Sequence, residues 1–309
     1  MKKLLRKIVF GDIPVSEYST VTVPEQVIEQ VLLTSGTRRI EVSTQQWLLC
    51  LDPVIFGIWL TNRDDIAFFD KRPAYKLHFN DAAKAPATVS VVSLTFFNKI
   101  NEEDGTLLLL KLENVKERHL SLVKTLLLYY KHYKKPEQDF YKLKGFAAAY
   151  SYPRKVRLVS FKEGNDFTIF PMDLVGEMRE NNRYVFGLRH TNITLPKIIA
   201  TKKMAISEIP YSYKDIIYKL GKHHRGPVDP TTNTMKFIET EQYQFPIPAW
   251  ANSYKEIRIV KTMNLGSHML LWGEVINQKS LSDPTGHLFH IHFLHYLHQK
   301  KRGLAYPLV

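Results

Sequence analysis

Residues 154–199 read RKVRLVSFKEGNDFTIFPMDLVGEMRENNRYVFGLRHTNITLPKII, and the fold of the chain is decided in this stretch. Its apolar runs are rich in β-branched residues and are separated by Gly, Asn and Asp, which is typical of strands joined by turns. Gly164 and Asn165 reach positive φ at low cost, so they favour a hairpin between the first two runs. The third run ends in a polar loop. The stretch therefore predicts three strands, a polar loop and a helix.

The second apolar run, FTIFPMDL, contains Pro171 in its interior. Proline has no N–H to donate to a neighbouring strand, so we expect this strand at a sheet edge or at a bulge. Backbone groups that leave the sheet at such a place are free to contact a ligand.

A cluster of polar residues follows the third run. Thr194 is expected as the N-cap of a helix whose first turn, Leu195-Pro196, tolerates proline. A helix N-terminus carries unpaired N–H groups and partial positive charge, and a guanidinium and hydroxyls beside it favour a phosphate. An ordinary capped helix with solvated polar residues is the alternative interpretation. The residues of the cluster are Arg189, His190, Thr191, Asn192 and Thr194.

Several short motifs resemble those of the flavin reductase-like, FMN-binding split-barrel family. They are the order P-x-x-V-x-L-V over residues 153–159, the turn Gly164-Asn165 and the run Phe170-Pro171-Met172-Asp173-Leu174. Residues 194–198, TLPKI, resemble the family's Thr-Leu-x-x-Ile helix start. Residues 265–275, LGSHMLLWGEV, resemble its Gly-Asp-His-Thr-Leu-Phe-x-Gly-Glu-Val strand. The resemblance covers residues 140–280, roughly half of the chain.

The resemblance implies a mainly β protein with some α structure (α+β), built on an FMN-binding split β-barrel of about six strands. Members of the family bind FMN noncovalently, usually as homodimers with the flavin near the subunit interface, and many pass hydride from NADH or NADPH to flavin. Carried over to this chain, Phe170 to Leu174 would line the isoalloxazine. Arg189 to Asn192, with Thr194, would hold the phosphate. His268 would help to position a nicotinamide; a histidine that is hydrogen-bonded in a turn is the alternative.

The sequence also departs from the family pattern. Asp173 stands where the family more often has a neutral residue, and a carboxylate near the flavin would disfavour its anionic reduced state. Ser267 and Met269 replace the usual Asp and Thr around His268. Three functions therefore remain open: an FMN-dependent oxidoreductase, a flavin-binding protein that stores or senses redox state without efficient turnover, and a barrel scaffold for protein interaction.

Composition narrows the class of protein further. The 309 residues predict about two domains, which we place at residues 1–136, a β-rich region ending in a long helix, and 137–309, the barrel with a C-terminal helix.

The formal charge of +13 is spread along the chain, without the motifs of a nucleic-acid-binding protein. No apolar run is long enough to cross a bilayer. The single Cys50 reads as a buried hydrophobe, and a cytoplasmic location is the default.

Outside the central stretch, periodicity predicts further elements. Helices are expected over residues 24–33, 114–133, 137–150 and 213–220. Strands are expected over residues 39–42, 47–51, 54–60, 75–79, 88–97, 106–112, 203–209, 256–263 and 268–276. His223 and His224 lie in a polar loop that could close over a ligand or simply be solvated. The five histidines of the tail GHLFHIHFLHYLHQKKRG are assigned to an amphipathic helix without a metal, because no Asp, Glu or Cys accompanies them.

Overall fold

The structure is a computed structural model. Most of its described residues lie in strands, and few lie in helices. The predicted fold class, mainly β with α, is therefore confirmed. It describes residues 18–23, 30–70, 72–81, 87–118, 123, 140–220, 226, 235–283, 286–292 and 295–296. The helices are α1 (Arg63–Phe69), α2 (Phe140–Ala149), α3 (Leu195–Thr201) and α4 (Lys214–Leu220). The strands are β1 (Tyr18–Val23), β2 (Gln30–Ser35), β3 (Arg38–Glu41), β4 (Gln46–Leu51), β5 (Val54–Leu60), β6 (Ala74–Asp81), β7 (Ala87–Glu102), β8 (Gly105–Glu117), β9 (Arg154–Lys155), β10 (Arg157–Glu163), β11 (Asp166–Met172), β12 (Val175–Met178), β13 (Arg183–Arg189), β14 (Lys203–Glu208), β15 (Phe237–Glu239), β16 (Pro246–Pro248), β17 (Ser253–Asn264), β18 (His268–Ser280) and β19 (His287–His292).

Two seven-stranded antiparallel sheets make up most of the molecule. The N-terminal sheet has the order β3-β2-β6-β7-β8-β5-β4, and the C-terminal sheet has the order β11-β10-β14-β17-β18-β13-β12. Within each sheet, the first strand along the chain pairs with the second and fifth, and the fourth pairs with the third and seventh. In both sheets a short helix, α1 or α3, connects the fourth strand to the fifth. The two sheets therefore have the same topology, and the C-terminal sheet has seven strands rather than the six expected.

The two sheets also share local sequence features at equivalent places. The first hairpin of each turns at a glycine with positive φ, Gly36 at 57° and Gly164 at 60°. Residues 56–62, FGIWLTN, match residues 186–192, FGLRHTN, at four of seven positions, and both segments run from the fourth strand into the loop before the helix. These matches make the N-terminal half a repeat of the C-terminal half.

The two halves pack closely through β4. A Cβ atom added to Gly187 of β13 would lie 1.8 Å from the carbonyl oxygen of Leu49 in β4, so only glycine permits this approach of the two backbones. A Cβ atom at Gly176 of β12 would lie 2.3 Å from the indole of Trp47. The largest apolar core contains residues of both sheets, including Phe56 and Phe186. The halves thus share one core, and the domain boundary near residue 136 stays a prediction.

Two of the predicted helices begin or end in strand structure. Residues 30–33 belong to β2, and residues 114–117 extend β8, whereas both segments were expected to be helical. In each case pairing with a distant strand decides the conformation: β2 pairs with β6, and the end of β8 pairs with the start of β7. Of residues 119–139 only Val123 is described, and residues 24–29 lie outside the described ranges. Helix α2 lies within the predicted 137–150, and α4 within 213–220.

The C-terminal tail corrects another prediction. Residues 287–292 form strand β19, which pairs with β1 on one side and β9 on the other, and not a helix. Its partner β1 is rich in Thr and Val, residues that favour strands. His223, His224 and His298 lie outside the described residues. No helix in the described part of the chain is long and apolar enough to cross a membrane.

Candidate functional site

A cavity of about 260 Å³, here called cavity A, lies against the edge of the C-terminal sheet. Eight of the residues predicted to contact a cofactor line it: Phe170, Pro171, Met172, Asp173, Leu174, Arg189, Asn192 and His268. Its other lining residues are Leu51, Tyr150, Gly187, Leu188 and His290. Three predicted residues, His190, Thr191 and Thr194, do not line the cavity.

Pro171 lies in β11, the outermost strand of the C-terminal sheet, as the sequence predicted. On its inner side β11 pairs with β10, where Pro171 lies opposite Leu158. After Met172 the chain leaves this pairing and crosses to β12, and the carbonyl of Leu174 accepts a 2.9 Å hydrogen bond from the N–H of Gly187. Backbone of residues 170–174 therefore forms one wall of cavity A.

Asp173 forms an ion pair inside the cavity. Its Oδ2 lies 2.7 Å from Nδ1 of His290 in β19, and the Tyr150 hydroxyl also donates to this carboxylate. Burial opposes ionisation of Asp173, but the charge and hydrogen bond of His290 and the hydrogen bond of Tyr150 hold its pKa below the usual value. The carboxylate is therefore ionised at neutral pH.

Arg189 is exposed at the end of β13 and also lines cavity A, so its guanidinium stands where the cavity meets solvent. Within the described ranges no carboxylate forms an ion pair with Arg189. The chain then turns tightly, because the N–H of Asn192 donates to the carbonyl of Arg189 at 3.0 Å. A cation without a partner at a cavity mouth is suited to an anionic group of a ligand.

The start of α3 differs from the prediction in its hydrogen bonds. Thr194 occupies the N-cap position, but its side chain does not cap the helix. The Thr194 hydroxyl is fully buried and donates to the hydroxyl of Thr168 at 3.1 Å. Instead, Oδ1 of Asn192 accepts from the N–H of Thr194 at 2.8 Å. His190 and Thr191 are exposed beside this turn, and Nε2 of His190 lies 3.2 Å from Oδ1 of Asn264.

His268 begins β18 directly opposite Arg189 of β13. The ring is buried, and its Nδ1 lies 2.8 Å from the hydroxyl of Ser267 and 3.6 Å from Sγ of Cys50. Burial, followed by the charges of Arg189 and His190, lowers the pKa of His268 to about 4. The imidazole is therefore neutral at physiological pH, and it can accept or donate a hydrogen bond without carrying charge.

Sequence reasoning missed five of the residues in cavity A: Gly187 and Leu188, which precede the predicted Arg189 in β13, and three that come from other elements. Leu51 comes from the N-terminal sheet, Tyr150 from the end of α2 and His290 from β19. His290 reaches Asp173 only because β19 pairs with β9, where His290 lies opposite Arg154. No short-range pattern marks these three residues, since each comes from an element distant in sequence.

Comparison with known proteins gives structural relatives only. No protein-family model and no curated protein match the chain. Among solved structures, the chain is similar to the NADH:FAD oxidoreductase SgcE6 of Streptomyces globisporus C-1027, with 17% identity and a TM-score of 0.44 over 50% of this chain and 90% of that one. It is similar to an FMN-binding protein from Thermus thermophilus, with 18% identity and a TM-score of 0.38 over 42% of this chain and 73% of that one.

A third similar structure is BorF, the flavin reductase component of a bacterial two-component tryptophan halogenase. It has 10% identity and a TM-score of 0.41 over 46% of this chain and 89% of that one. These three solved structures are an NADH:FAD oxidoreductase, an FMN-binding protein and a flavin reductase component.

Proposed function

We propose that this protein is an FMN-binding flavoprotein that holds the flavin ring in cavity A and the flavin phosphate at Arg189. The observation that carries the proposal is the position of Arg189, an exposed guanidinium with no carboxylate partner among the described residues, at the mouth of a cavity with largely apolar walls. Pockets that enclose a drug-sized ligand measure roughly 300–1,000 Å³. Cavity A, at about 260 Å³, suits a flat ring system whose charged tail stays outside.

The residues present fit this ligand. Phe170, Met172 and Leu174 provide apolar surface, and the backbone between β11 and β12 provides hydrogen-bonding groups beside it. When bound, FMN would supply the redox chemistry, which is to accept a hydride and to pass its electrons on. The chain's own residues exclude water, hold the ring and neutralise the phosphate charge.

We propose NADH or NADPH as the electron donor, with His268 positioning the nicotinamide. The imidazole lines cavity A, is neutral, and is held in place by Ser267, so it can orient an amide without acting as an acid or base. Hydride transfer depends on the placement of two rings and needs no proton donor from the protein. The rate of hydride transfer therefore depends on how the protein places the two rings.

The ionised carboxylate of Asp173 favours a second candidate function. A negative charge in the cavity disfavours an anionic reduced flavin, so hydride transfer would be slow and the bound flavin would store or sense redox state. A scaffold that binds no flavin is the third candidate. The sequence predicts a homodimer, and the packing of two sheets of the same topology within one chain favours a monomer as the alternative.

Two measurements separate these functions. An absorbance spectrum of the purified protein, with the chromophore identified after heat release, should give FMN; a colourless protein that takes up no added FMN would leave only the scaffold. Anaerobic mixing with NADH or NADPH should bleach the flavin within seconds. Bound FMN that neither nicotinamide bleaches within minutes would reject the oxidoreductase and leave storage or sensing.

A further inference from the structure

A second cavity, cavity B, has a volume of about 270 Å³ and lies between the two halves, with residues 43–47 and Trp59 from the N-terminal half and the larger part of its lining from the C-terminal half. Cavity A is lined by the connection from β11 to β12 and by Arg189 of β13. Cavity B is lined by the connection from β3 to β4 and by Trp59 of β5. These are the equivalent elements of the two sheets, and Trp59 is the counterpart of Arg189 in the matching segments FGIWLTN and FGLRHTN.

Each cavity is also closed by the opposite half. Leu51, at the end of β4, lines cavity A, and Met178, at the end of the equivalent strand β12, lines cavity B. The two cavities therefore share equivalent elements, but cavity B takes most of its lining from the C-terminal half, and Asp173 lines both cavities.

The lining of cavity B does not suit a flavin phosphate. Trp59 replaces the arginine, and the side chain of Asn62 accepts hydrogen bonds from the N–H groups of Asp64 and Asp65 at the start of α1. Asp64 and Asp65 stand where the C-terminal half has Thr194 and Leu195, and Asp65 forms an ion pair with Arg38. The residue of cavity B that is equivalent to Arg189 therefore carries no charge with which to bind a phosphate.

The floor of cavity B holds a buried cation that lacks an anionic partner. Arg154 is 5% exposed, and three of its N–H groups donate to the carbonyl oxygens of Ala149 and Gln46. In the described part of the chain no carboxylate forms an ion pair with it. Burial lowers its pKa to about 10, against the raising effects of Tyr152, Tyr150 and Asp173, so it stays charged at neutral pH. A guanidinium has five N–H donors, so two remain available.

Lys155, Arg157, Glu177 and Asp173 of the lining form ion pairs, whereas Glu180 is an exposed carboxylate with no ion pair among the described residues. Arg157 binds Glu177 and Glu208, and Lys155 binds Glu208. Two buried polar atoms of the lining have no hydrogen-bond partner among the described residues: Oε1 of Gln46, a residue that is 1% exposed, and Nδ1 of His287. The walls include the aromatic rings of Trp47, Trp59, Tyr152 and Phe289. A ligand that satisfies these groups is flat, anionic and able to donate a hydrogen bond.

We propose that cavity B is a second ligand site, and that it takes a small planar aromatic carboxylate with a hydroxyl or N–H donor. The carboxylate contacts the free N–H groups of Arg154, the ring packs among the aromatic walls, and the donor group binds Oε1 of Gln46. A bound acid also neutralises a guanidinium that is otherwise buried without a counter-ion.

Calorimetric titration of the full chain with 4-hydroxybenzoate tests the proposal. We expect saturable binding at one molecule per chain, with quenching of tryptophan fluorescence because Trp47 and Trp59 line the cavity. Benzoate, which lacks the donor, and 4-hydroxybenzamide, which lacks the charge, should each bind about tenfold or more weakly. No heat and no quenching at millimolar concentration would overturn the proposal.

Two variants locate the site. Gln46→Glu replaces the amide by a carboxylate of the same size, so it should weaken 4-hydroxybenzoate binding at least about tenfold while FMN binding stays unchanged. Arg189→Ala should have the reverse effects. Binding that falls only in Arg189→Ala would place the acid in cavity A, and binding unaffected by either variant would place it elsewhere; both results reject cavity B. Should Gln46→Glu fail to fold, Gln46→Leu, which removes the acceptor Oε1 together with the Nε2 donor to the Ser43 carbonyl, is expected to weaken binding of the acid in the same direction.

Discussion

Arg189 is the residue on which the affinity for FMN should depend most. Replacement by Ala removes a charge-assisted contact with the phosphate worth roughly 1.5–3 kcal/mol, so we expect the FMN dissociation constant to rise about tenfold to a hundredfold. Fluorescence titration measures it. Arg183→Ala is the matched control, because Arg183 is on the same strand but pairs with Asp104 away from cavity A. Equal dissociation constants for Arg189→Ala and the wild type would remove Arg189 from the site.

His268 should affect the rate of flavin reduction more than the affinity for flavin. His268→Ala is expected to slow anaerobic bleaching by NAD(P)H about tenfold to a hundredfold, because misplaced rings transfer hydride poorly. The pKa of His268 lies near 4, below its ordinary value, so the ring is neutral throughout pH 6–8 and the wild-type rate should show no titration of this group there. Stopped-flow rates across this range check both points. His78→Ala, in the N-terminal sheet, is the control.

At the residue scale, local sequence pattern predicted the side chains that one segment places together. Residues 170–174 and Arg189 fall on the same cavity because a strand with an interior proline and a strand ending in a polar loop belong to one sheet. The pattern could not show that His290 holds Asp173, since that contact depends on the pairing of β19 with β9. The buried position of the Thr194 hydroxyl was likewise hidden, because its partner Thr168 lies on another strand.

At the scale of elements, the contact of β13 with β4 depends on a single missing side chain. Gly187→Ala would place a Cβ atom 1.8 Å from the carbonyl oxygen of Leu49, so the backbones must separate. We expect a loss of roughly 3 kcal/mol, the upper part of the range for overpacked cores. Urea denaturation measures it.

Gly164→Ala is the control for this substitution. Gly164 has a φ of 60° but nothing within 4 Å of an added Cβ atom, so it tests backbone strain without a clash and should cost about 1 kcal/mol. Equal losses for the two alanine variants would contradict the close packing of β13 on β4.

Element types were predictable where the apolar pattern was local and long, as in β4, β5, β10 and β11. Element types were not predictable where pairing with a strand distant in sequence decides the conformation. Residues 287–292 have apolar residues at spacings that suit a helix, yet they pair with β1 as a strand. Residues 30–33 follow the same rule, because β6 provides their hydrogen bonds. Backbone groups in these segments are satisfied by chain far away in sequence, and periodicity carries no information about that chain.

At the scale of the whole molecule, the pairing of two sheets of the same topology within one chain bears on the oligomeric state. The sequence predicts a homodimer because a single barrel leaves apolar surface uncovered. In the structure β4 of the N-terminal half covers β12 and β13 of the C-terminal half. We therefore expect a monomer of 36.0 kDa with one bound FMN, as measured by light scattering at micromolar concentration. A mass of twice that value would restore the homodimer.

The repeat could not be predicted from the sequence because its two copies have identical residues at few positions. The segments FGIWLTN and FGLRHTN are short, and β2 shares with β10 little more than the glycine of the following turn. Strand order, in contrast, is set by the whole sheet, and it shows the relation directly. The N-terminal sheet thus packs on the C-terminal sheet and contributes Leu51 to cavity A.

Titration of the flavin-free chain with FMN, followed by the visible absorbance of the flavin and by ultrafiltration, tests flavin binding in cavity A most directly. We expect saturation at one FMN per chain, with a shifted flavin spectrum because the ring leaves water for an apolar cavity, and with weaker binding in Arg189→Ala than in Arg183→Ala. An FMN spectrum identical to that of free FMN, with all flavin passing the filter, would contradict the flavin site.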